Sequence, residues 1–168
     1  MDGNYYWTFE KALDSKTCEF ILDSAANHYS EVTILNPDGG TRKDERFRKG
    51  QSFFNNQQFV YDLIWPHLNT ANKNAEWNFE ISSAESYQIS KYEVGDFYAS
   101  HMDSMGTDNT VYKNSKNPNL HNKTRKLSMS INLNEDFEGG DLVFYDCDPI
   151  EQKTGNIILA NTQKLVKM

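Results

Sequence analysis

The spacing of apolar residues predicts two helices in the first part of the chain. Over residues 18–29, apolar side chains recur every three or four positions, as they do on the buried face of a helix. Asp14 or Ser15 can cap the start of this helix. The same spacing predicts a second helix over residues 57–74, in which Pro66 should cause a kink or a division into two short helices.

Beyond residue 77 the pattern becomes that of strands. Aromatic and β-branched side chains collect toward the end of residues 80–92. Apolar and polar residues alternate over residues 126–134, and short apolar runs follow at 142–145 and 156–160. We therefore expect a strand in each of these segments.

Helices followed by several strands predict an α+β fold with a mainly β core. The chain of 168 residues is long enough to bury such a core and is predicted to form a single domain over residues 1–168. Helical support is expected over about residues 1–76 and the β core over about residues 77–168. The number of short strands fits a jelly roll.

Composition limits which kinds of molecule the protein is expected to bind and where in the cell it is expected to be. The sequence has 24 acidic and 17 basic residues, a net charge of −7, which argues against nucleic acid or an anionic membrane as a partner. The two cysteines, Cys18 and Cys147, have neither a redox nor a zinc-binding spacing. The start has no signal-like pattern, and no apolar run approaches the roughly 20 residues of a membrane span. A cytoplasmic protein is therefore expected.

The candidate chemistry centres on His101 and Asp103, in a segment predicted to be a strand. Side chains at positions i and i+2 of a strand share one face, with Cα atoms about 6.6 Å apart. An imidazole and a carboxylate at this separation can both bind one small cation. With further coordination positions left open, they are part of the ligand set of 2-His-1-carboxylate iron oxygenases.

Four ordered motifs connect these residues to a family. Over residues 13–158 the chain resembles 2-oxoglutarate- and Fe(II)-dependent oxygenases of the prolyl-4-hydroxylase-like type. The resemblance implies a double-stranded β-helix (jelly roll) with N-terminal supporting helices. The motifs are Tyr92-x-x-Gly95-x-x-Tyr98-x-x-His101-x-Asp103, Arg125-Lys126-Leu127-Ser128, Asn132-Leu133-Asn134 and Phe137-Glu138-Gly139-Gly140-Asp141-Leu142.

The resemblance also implies roles for individual residues. His101 and Asp103 would bind Fe(II), and Tyr92 and Tyr98 would line the 2-oxoglutarate pocket. Residues 104–124 would cover the substrate. The implied activity is an Fe(II)/2-oxoglutarate-dependent dioxygenase that hydroxylates a prolyl or other residue of a peptide or protein, with ascorbate (vitamin C) as reductant. The oligomeric state stays open.

The sequence also departs from the family pattern. The family's second histidine is expected near Val166, and a basic residue that pairs with the distal carboxylate of 2-oxoglutarate is expected further on. Asn132 stands where many relatives carry a tyrosine. Three interpretations remain open: a C-terminally truncated or naturally degenerate member with reduced or absent activity, completion of the site by another group such as His121, or completion by a second copy of the chain. A non-catalytic jelly-roll binding module is the alternative function. Arg125 is interpreted as a solvated residue at a strand start.

Overall fold

The computed structural model describes residues 6–35, 41–101, 103, 111–112, 117–144, 153–161 and 166–167. These residues form two α-helices, one 3₁₀ turn at Pro118–Leu120 and short strands. The helices are α1 (Ser15–Asp23) and α2 (Gln58–Asn74). The strands are β1 (Tyr6–Phe9), β2 (Ser30–Glu31), β3 (Ile34–Leu35), β4 (Thr41–Arg42), β5 (Arg48–Lys49), β6 (Gln51–Asn55), β7 (Tyr87–Lys91), β8 (Phe97–Tyr98), β9 (Leu127–Ile131), β10 (Val143–Phe144), β11 (Ile157–Asn161) and β12 (Val166–Lys167).

An antiparallel sheet of β1, β11 and β9 carries three of the four largest fully buried side chains of the described residues, Ile157, Ile158 and Leu159. The central strand β11 is apolar at consecutive positions because both of its faces are covered. Ile157 and Leu159 pack on the face toward the helices, whereas Ile158 and Ala160 pack on the other face with Leu142. Residues 157–160 therefore contribute side chains to two hydrophobic clusters, one on each face of the sheet.

A second antiparallel sheet, β2-β6-β7, completes the helix side of the core. Of the two predicted caps, Asp14 is the one that caps α1. Its side chain accepts a hydrogen bond of 2.7 Å from the Thr17 backbone N–H. The buried members of this core are Leu13, Cys18, Ile21, Ala25, Val60, Ala71, Ile89, Ile157 and Leu159. Apolar faces of both helices and one face of each sheet thus share one interior.

The helix α2 is continuous through Pro66, so the predicted division into two helices did not occur. Proline removes the N–H that would bond the carbonyl of Asp62. Both Asp62 and Pro66 are exposed, so water can satisfy that carbonyl and the cost of the missing bond stays small. The first helix is also shorter than predicted, because α1 ends at Asp23 and turns occupy residues 24–28.

The region expected to give helical support also contains strands. Its first strand, β1, pairs with β11, with Phe9 opposite Ile157, and β6 pairs with β7. Neither strand was predicted, because pairing partners lie far away in sequence and short strands have weak local signals. The protein is mainly β with few helices. Neither helix in the described part of the chain is long and apolar enough to cross a membrane.

The junction of β11 with α1 depends on a glycine. Gly155 has φ of 78°, and its carbonyl accepts a hydrogen bond of 3.1 Å from the Leu13 backbone N–H. A Cβ at this position would overlap the Leu13 carbonyl oxygen. Glycine is therefore required both by the left-handed backbone and by the close approach of another main chain.

We expect Gly155→Ala to lower the free energy of unfolding by at least about 2 kcal/mol, because it adds backbone overlap to left-handed strain. Urea unfolding followed by circular dichroism measures this loss. Gly139→Ala is the matched control, since Gly139 has φ of 75° and nothing within 4 Å of a Cβ. Its free energy of unfolding should fall only by the conformational cost of about 1–2 kcal/mol. Equal losses in the two variants would contradict the role of the Leu13 contact.

Candidate metal centre

The candidate site lies on the side of the central sheet that faces away from the helices. In the antiparallel register, Ser128 of β9 is opposite Ala160 of β11, and directly opposed residues share one face. Ser128 is therefore on the same face as Ala160 and Ile158, which pack with Leu142 rather than with the helices. The Ser128 hydroxyl interacts with the carboxylate of Asp103, which joins the site to this sheet.

A short strand pair leads the chain into the site. Tyr98 of β8 is paired with Arg48 of β5, and the Ala99 N–H donates a hydrogen bond of 2.8 Å to the Phe47 carbonyl. Regular pairing ends at Tyr98, so the expectation that His101 and Asp103 lie on a strand is wrong in this detail. His101 forms an isolated bridge and Asp103 lies in a bend. The two side chains converge because the backbone turns, not because of strand periodicity.

The His101 ring is held in one tautomer by its own backbone neighbourhood. Its Nδ1 lies 2.8 Å from the Ala99 carbonyl oxygen. A carbonyl only accepts hydrogen bonds, so Nδ1 carries the proton and donates. In the neutral imidazole, Nε2 then presents a lone pair. Nε2 is buried and has no hydrogen-bond partner among the described residues.

The Asp103 carboxylate faces this unsatisfied nitrogen. Its Oδ1 lies 3.4 Å from His101 Nε2, and the two side chains are 19% and 9% exposed. Burial raises the pKa of Asp103, but the Ser128 hydroxyl and the positive charge of Arg125 help to hold that pKa below its usual value. Two electron-pair donors, one neutral nitrogen and one anionic oxygen, therefore face each other in a buried position. Such a pair fits a small divalent cation.

The Tyr98 ring packs flat against one face of the His101 imidazole. The two rings stack at a centroid distance of 3.7 Å and an angle of 19°, and the Arg48 guanidinium lies 4.3 Å from the Tyr98 ring centre. Burial raises the pKa of Tyr98, and this effect is partly offset by Arg48. Arg48 is 8% exposed, and its Nε has no hydrogen-bond partner in the described ranges. Nothing local in the sequence marks this arginine as buried.

Tyr92 lies further out than Tyr98. It is 41% exposed, and its ring packs over the backbone of Gly50, where a Cβ would lie 3.2 Å from it. The structure therefore brings Tyr98, His101 and Asp103 together and leaves Tyr92 at the outer edge.

Arg125 is not the solvated residue that its position before β9 suggested. Its Nε and Nη2 donate to the two carboxylate oxygens of Glu85 at 2.8 and 2.6 Å, and its Nη1 donates to the Asp103 carbonyl at 2.9 Å. Burial alone would raise the pKa of Glu85, but Arg125 holds it below its usual value. The interpretation was wrong because nothing local marks an ion pair between residues 40 positions apart.

Other candidate ligands are not brought to the site. His121 is exposed at the end of the 3₁₀ turn, and Val166 is paired with Phe144 between β12 and β10. Asn132 is tied by its backbone to Gly155 and Asn156. Within the described residues, no cluster of three or more His, Cys, Asp or Glu side chains could bind a metal. Most of the predicted covering segment, 104–124, lies outside the described residues, which include only 111–112 and 117–124 of it.

Known proteins support the family expected from the motifs. Residues 87–166 match the family model described as the 2OG-Fe(II) oxygenase superfamily. The fold is similar to that of the viral collagen prolyl hydroxylase of Paramecium bursaria Chlorella virus-1, solved as a 2OG complex. The TM-score is 0.67 and the identity 18%, over 99% of this chain and 89% of that one.

A second similar structure is a prolyl-4-hydroxylase of Pseudomonas putida. Its TM-score is 0.62 and its identity 15%, over 98% of this chain and 84% of that one. No curated protein matched the sequence. At these identities the structures establish the fold, and the family model covers the segment that contains His101 and Asp103. Residues 87–166 of this chain are therefore similar to the 2OG-Fe(II) oxygenase superfamily, and the fold is shared with prolyl hydroxylases.

Proposed function

We propose that this protein is an Fe(II)- and 2-oxoglutarate-dependent dioxygenase that hydroxylates a prolyl or other residue of a peptide or protein. The observation that supports it most is the buried lone pair of His101 Nε2, which faces the Asp103 carboxylate at 3.4 Å. Two donors held this way would repel each other without a positive charge between them. The matched family model indicates Fe(II) as the metal and 2-oxoglutarate as the co-substrate, and both suit this arrangement.

In the proposed site, His101 Nε2 and the Asp103 carboxylate hold Fe(II), and Tyr98 and Tyr92 line the 2-oxoglutarate pocket. Iron with 2-oxoglutarate supplies the oxidative chemistry, which couples decarboxylation of the co-substrate to hydroxylation of a C–H bond, with ascorbate as the proposed reductant. We propose that the strands form the family's double-stranded β-helix, with the site on the face of the central sheet that carries Ser128.

The protein's own groups orient the donors and exclude water. The Ala99 carbonyl accepts from His101 Nδ1 and so orients the ring with Nε2 toward the metal position. Burial keeps the Tyr98 hydroxyl protonated at neutral pH, so it can donate a hydrogen bond to an anionic co-substrate. The stacked Tyr98 ring also covers one side of the imidazole.

A second candidate is a binding module that has lost the chemistry. It is favoured by Val166, which has no donor atom at the position expected for the second histidine. A site with two protein ligands holds metal less tightly and leaves its orientation less constrained. A group elsewhere in the protein, His121 included, or a second copy of the chain would have to complete the triad for full activity.

Metal binding tests the site before any substrate is known. We expect calorimetric titration with Mn(II), a redox-stable substitute for Fe(II), to show binding that His101→Ala and Asp103→Asn each weaken by more than about 100-fold, a larger effect than loss of an outer-shell partner. His67→Ala is the matched control, because its Nδ1 also lies near a backbone carbonyl, 3.1 Å from that of Leu63, while its ring packs on Phe9. His121→Ala should bind Mn(II) like the unaltered protein, because the structure does not bring this residue to the site. Binding unaffected by His101→Ala would contradict the site.

Turnover distinguishes the enzyme from the binding module. We expect succinate release from 2-oxoglutarate in the presence of Fe(II), ascorbate and proline-containing peptides, because the proposed donors hold iron beside the co-substrate pocket. Chromatographic quantification of succinate and mass spectrometry of the peptide measure the two products. Asp103→Asn provides the background rate. Tight Mn(II) binding without succinate above that background would support the binding module instead.

A further inference from the structure

We propose that Arg125 is a positioning residue for Asp103, and that Glu85 and Tyr112 act on the metal centre only through Arg125. The inference rests on the proposed function, since it concerns the same metal centre. It assigns a role to three residues that neither hold the metal nor line the co-substrate pocket in that proposal.

Arg125 supplies the main-chain contact that a strand would otherwise provide. Asp103 lies in a bend, beyond the end of β8, so the β5–β8 pairing does not reach it. The Arg125 Nη1 donates to the Asp103 carbonyl at 2.9 Å and lies 3.8 Å from its carboxylate Oδ1. One nitrogen thus fixes the Asp103 backbone and places a positive charge beside its carboxylate.

Glu85 fixes the direction in which Arg125 points. The Nε–Nη2 edge of the guanidinium is bound by both carboxylate oxygens of Glu85, at 2.8 and 2.6 Å. Because a guanidinium is planar, binding of that edge determines where Nη1 lies. A lysine at 125 would keep the charge but could not make the paired contact and the Asp103 contact in the same rigid geometry.

Tyr112 connects this ion pair to the segment between Asp103 and Arg125. Its hydroxyl donates to Glu85 Oε1 at 2.6 Å. Its backbone N–H donates to the Lys123 carbonyl, and its carbonyl accepts from the Asn122 N–H. Burial, followed by the bond to Glu85, raises the pKa of Tyr112 to about 12, so it remains a donor throughout the neutral range. The network therefore links the part of the chain predicted to cover the substrate with the carboxylate proposed to bind metal.

A purely structural ion pair and a positioning pair have different consequences. Loss of a structural pair would lower thermal stability and leave the metal affinity of the folded protein unchanged. Loss of a positioning pair changes the metal affinity itself, typically by 10- to 100-fold for an outer-shell partner. Glu85 and Tyr112, if they act through Arg125, should have no further effect once Arg125 is replaced.

The test is Mn(II) affinity by calorimetry in the full chain. We expect Arg125→Met to weaken binding by about 10- to 100-fold. Arg125→Lys should also weaken it, because lysine cannot make the paired contact with Glu85. Lys126→Met is the matched control, since it removes a positive charge one residue away, on a side chain that lies 5.7 Å from the Phe79 ring centre. It should bind Mn(II) like the unaltered protein.

Double variants test the order of the network. Glu85→Gln alone should weaken binding, and Tyr112→Phe should do so less, whereas neither should weaken it further in the Arg125→Met background. In Co(II)-loaded protein, Arg125→Lys should shift the visible absorption bands at saturating metal, a change in ligand geometry that altered stability alone would not cause. Circular dichroism checks that each variant is folded. If Arg125→Met is not, Arg125→Lys and Tyr112→Phe keep the test decisive.

Several results would overturn the positioning role. They are wild-type Mn(II) affinity in folded Arg125→Lys and Arg125→Met, an equal loss in Lys126→Met, and full additivity of Glu85→Gln with Arg125→Met. Absence of His101-dependent Mn(II) binding in the unaltered protein would instead overturn the metal centre, and this role with it. The two failures are distinguishable because the second is seen before any change at Arg125.

Discussion

The hydrogen bond between His101 Nδ1 and the Ala99 carbonyl determines the chemistry available to the site. It places the imidazole proton on the nitrogen that faces the backbone and leaves Nε2 with a lone pair beside the Asp103 carboxylate. Were the tautomer reversed, Nε2 would donate to the carboxylate and the pair would be self-satisfied. Among the described residues Nε2 has no hydrogen-bond partner, and a buried lone pair left in this way has a free energy cost that a bound cation would remove.

The surrounding fold brings this pair together from distant parts of the chain. β5 holds β8 in place, Ser128 of β9 meets the Asp103 carboxylate, and Arg125 meets its carbonyl. Below them, β11 is buried on both faces and separates the helix-side core from the site side. A change in the register of β9 by one residue would move Ser128 to the helix side, because strand side chains alternate between faces.

The match to the family includes the two residues proposed to bind metal, whereas the position expected for a third ligand carries no donor atom. The His101–Asp103 pair lies within the matched segment 87–166, and the fold is shared with two prolyl hydroxylases. The position expected for the second histidine is Val166, which pairs with Phe144 at the edge formed by β10 and β12. Asn132, where many relatives are expected to have tyrosine, is bound by its backbone to the Gly155 turn. The shared fold therefore carries the proposed His101–Asp103 pair without the third ligand expected of the family.

Local patterns in the chain were sufficient for features that depend on near neighbours. Helix α2, the Asp14 cap and strands β9 and β11 all follow from residues within a few positions of one another. Long-range contacts could not be predicted in this way. They include the pairing of β1 with β11, the Arg125–Glu85 pair, the burial of Arg48 under Tyr98 and the tautomer of His101. Each of the first three joins groups at least 40 residues apart, and the last depends on how the backbone turns after β8, so these features exist only once the whole domain has folded.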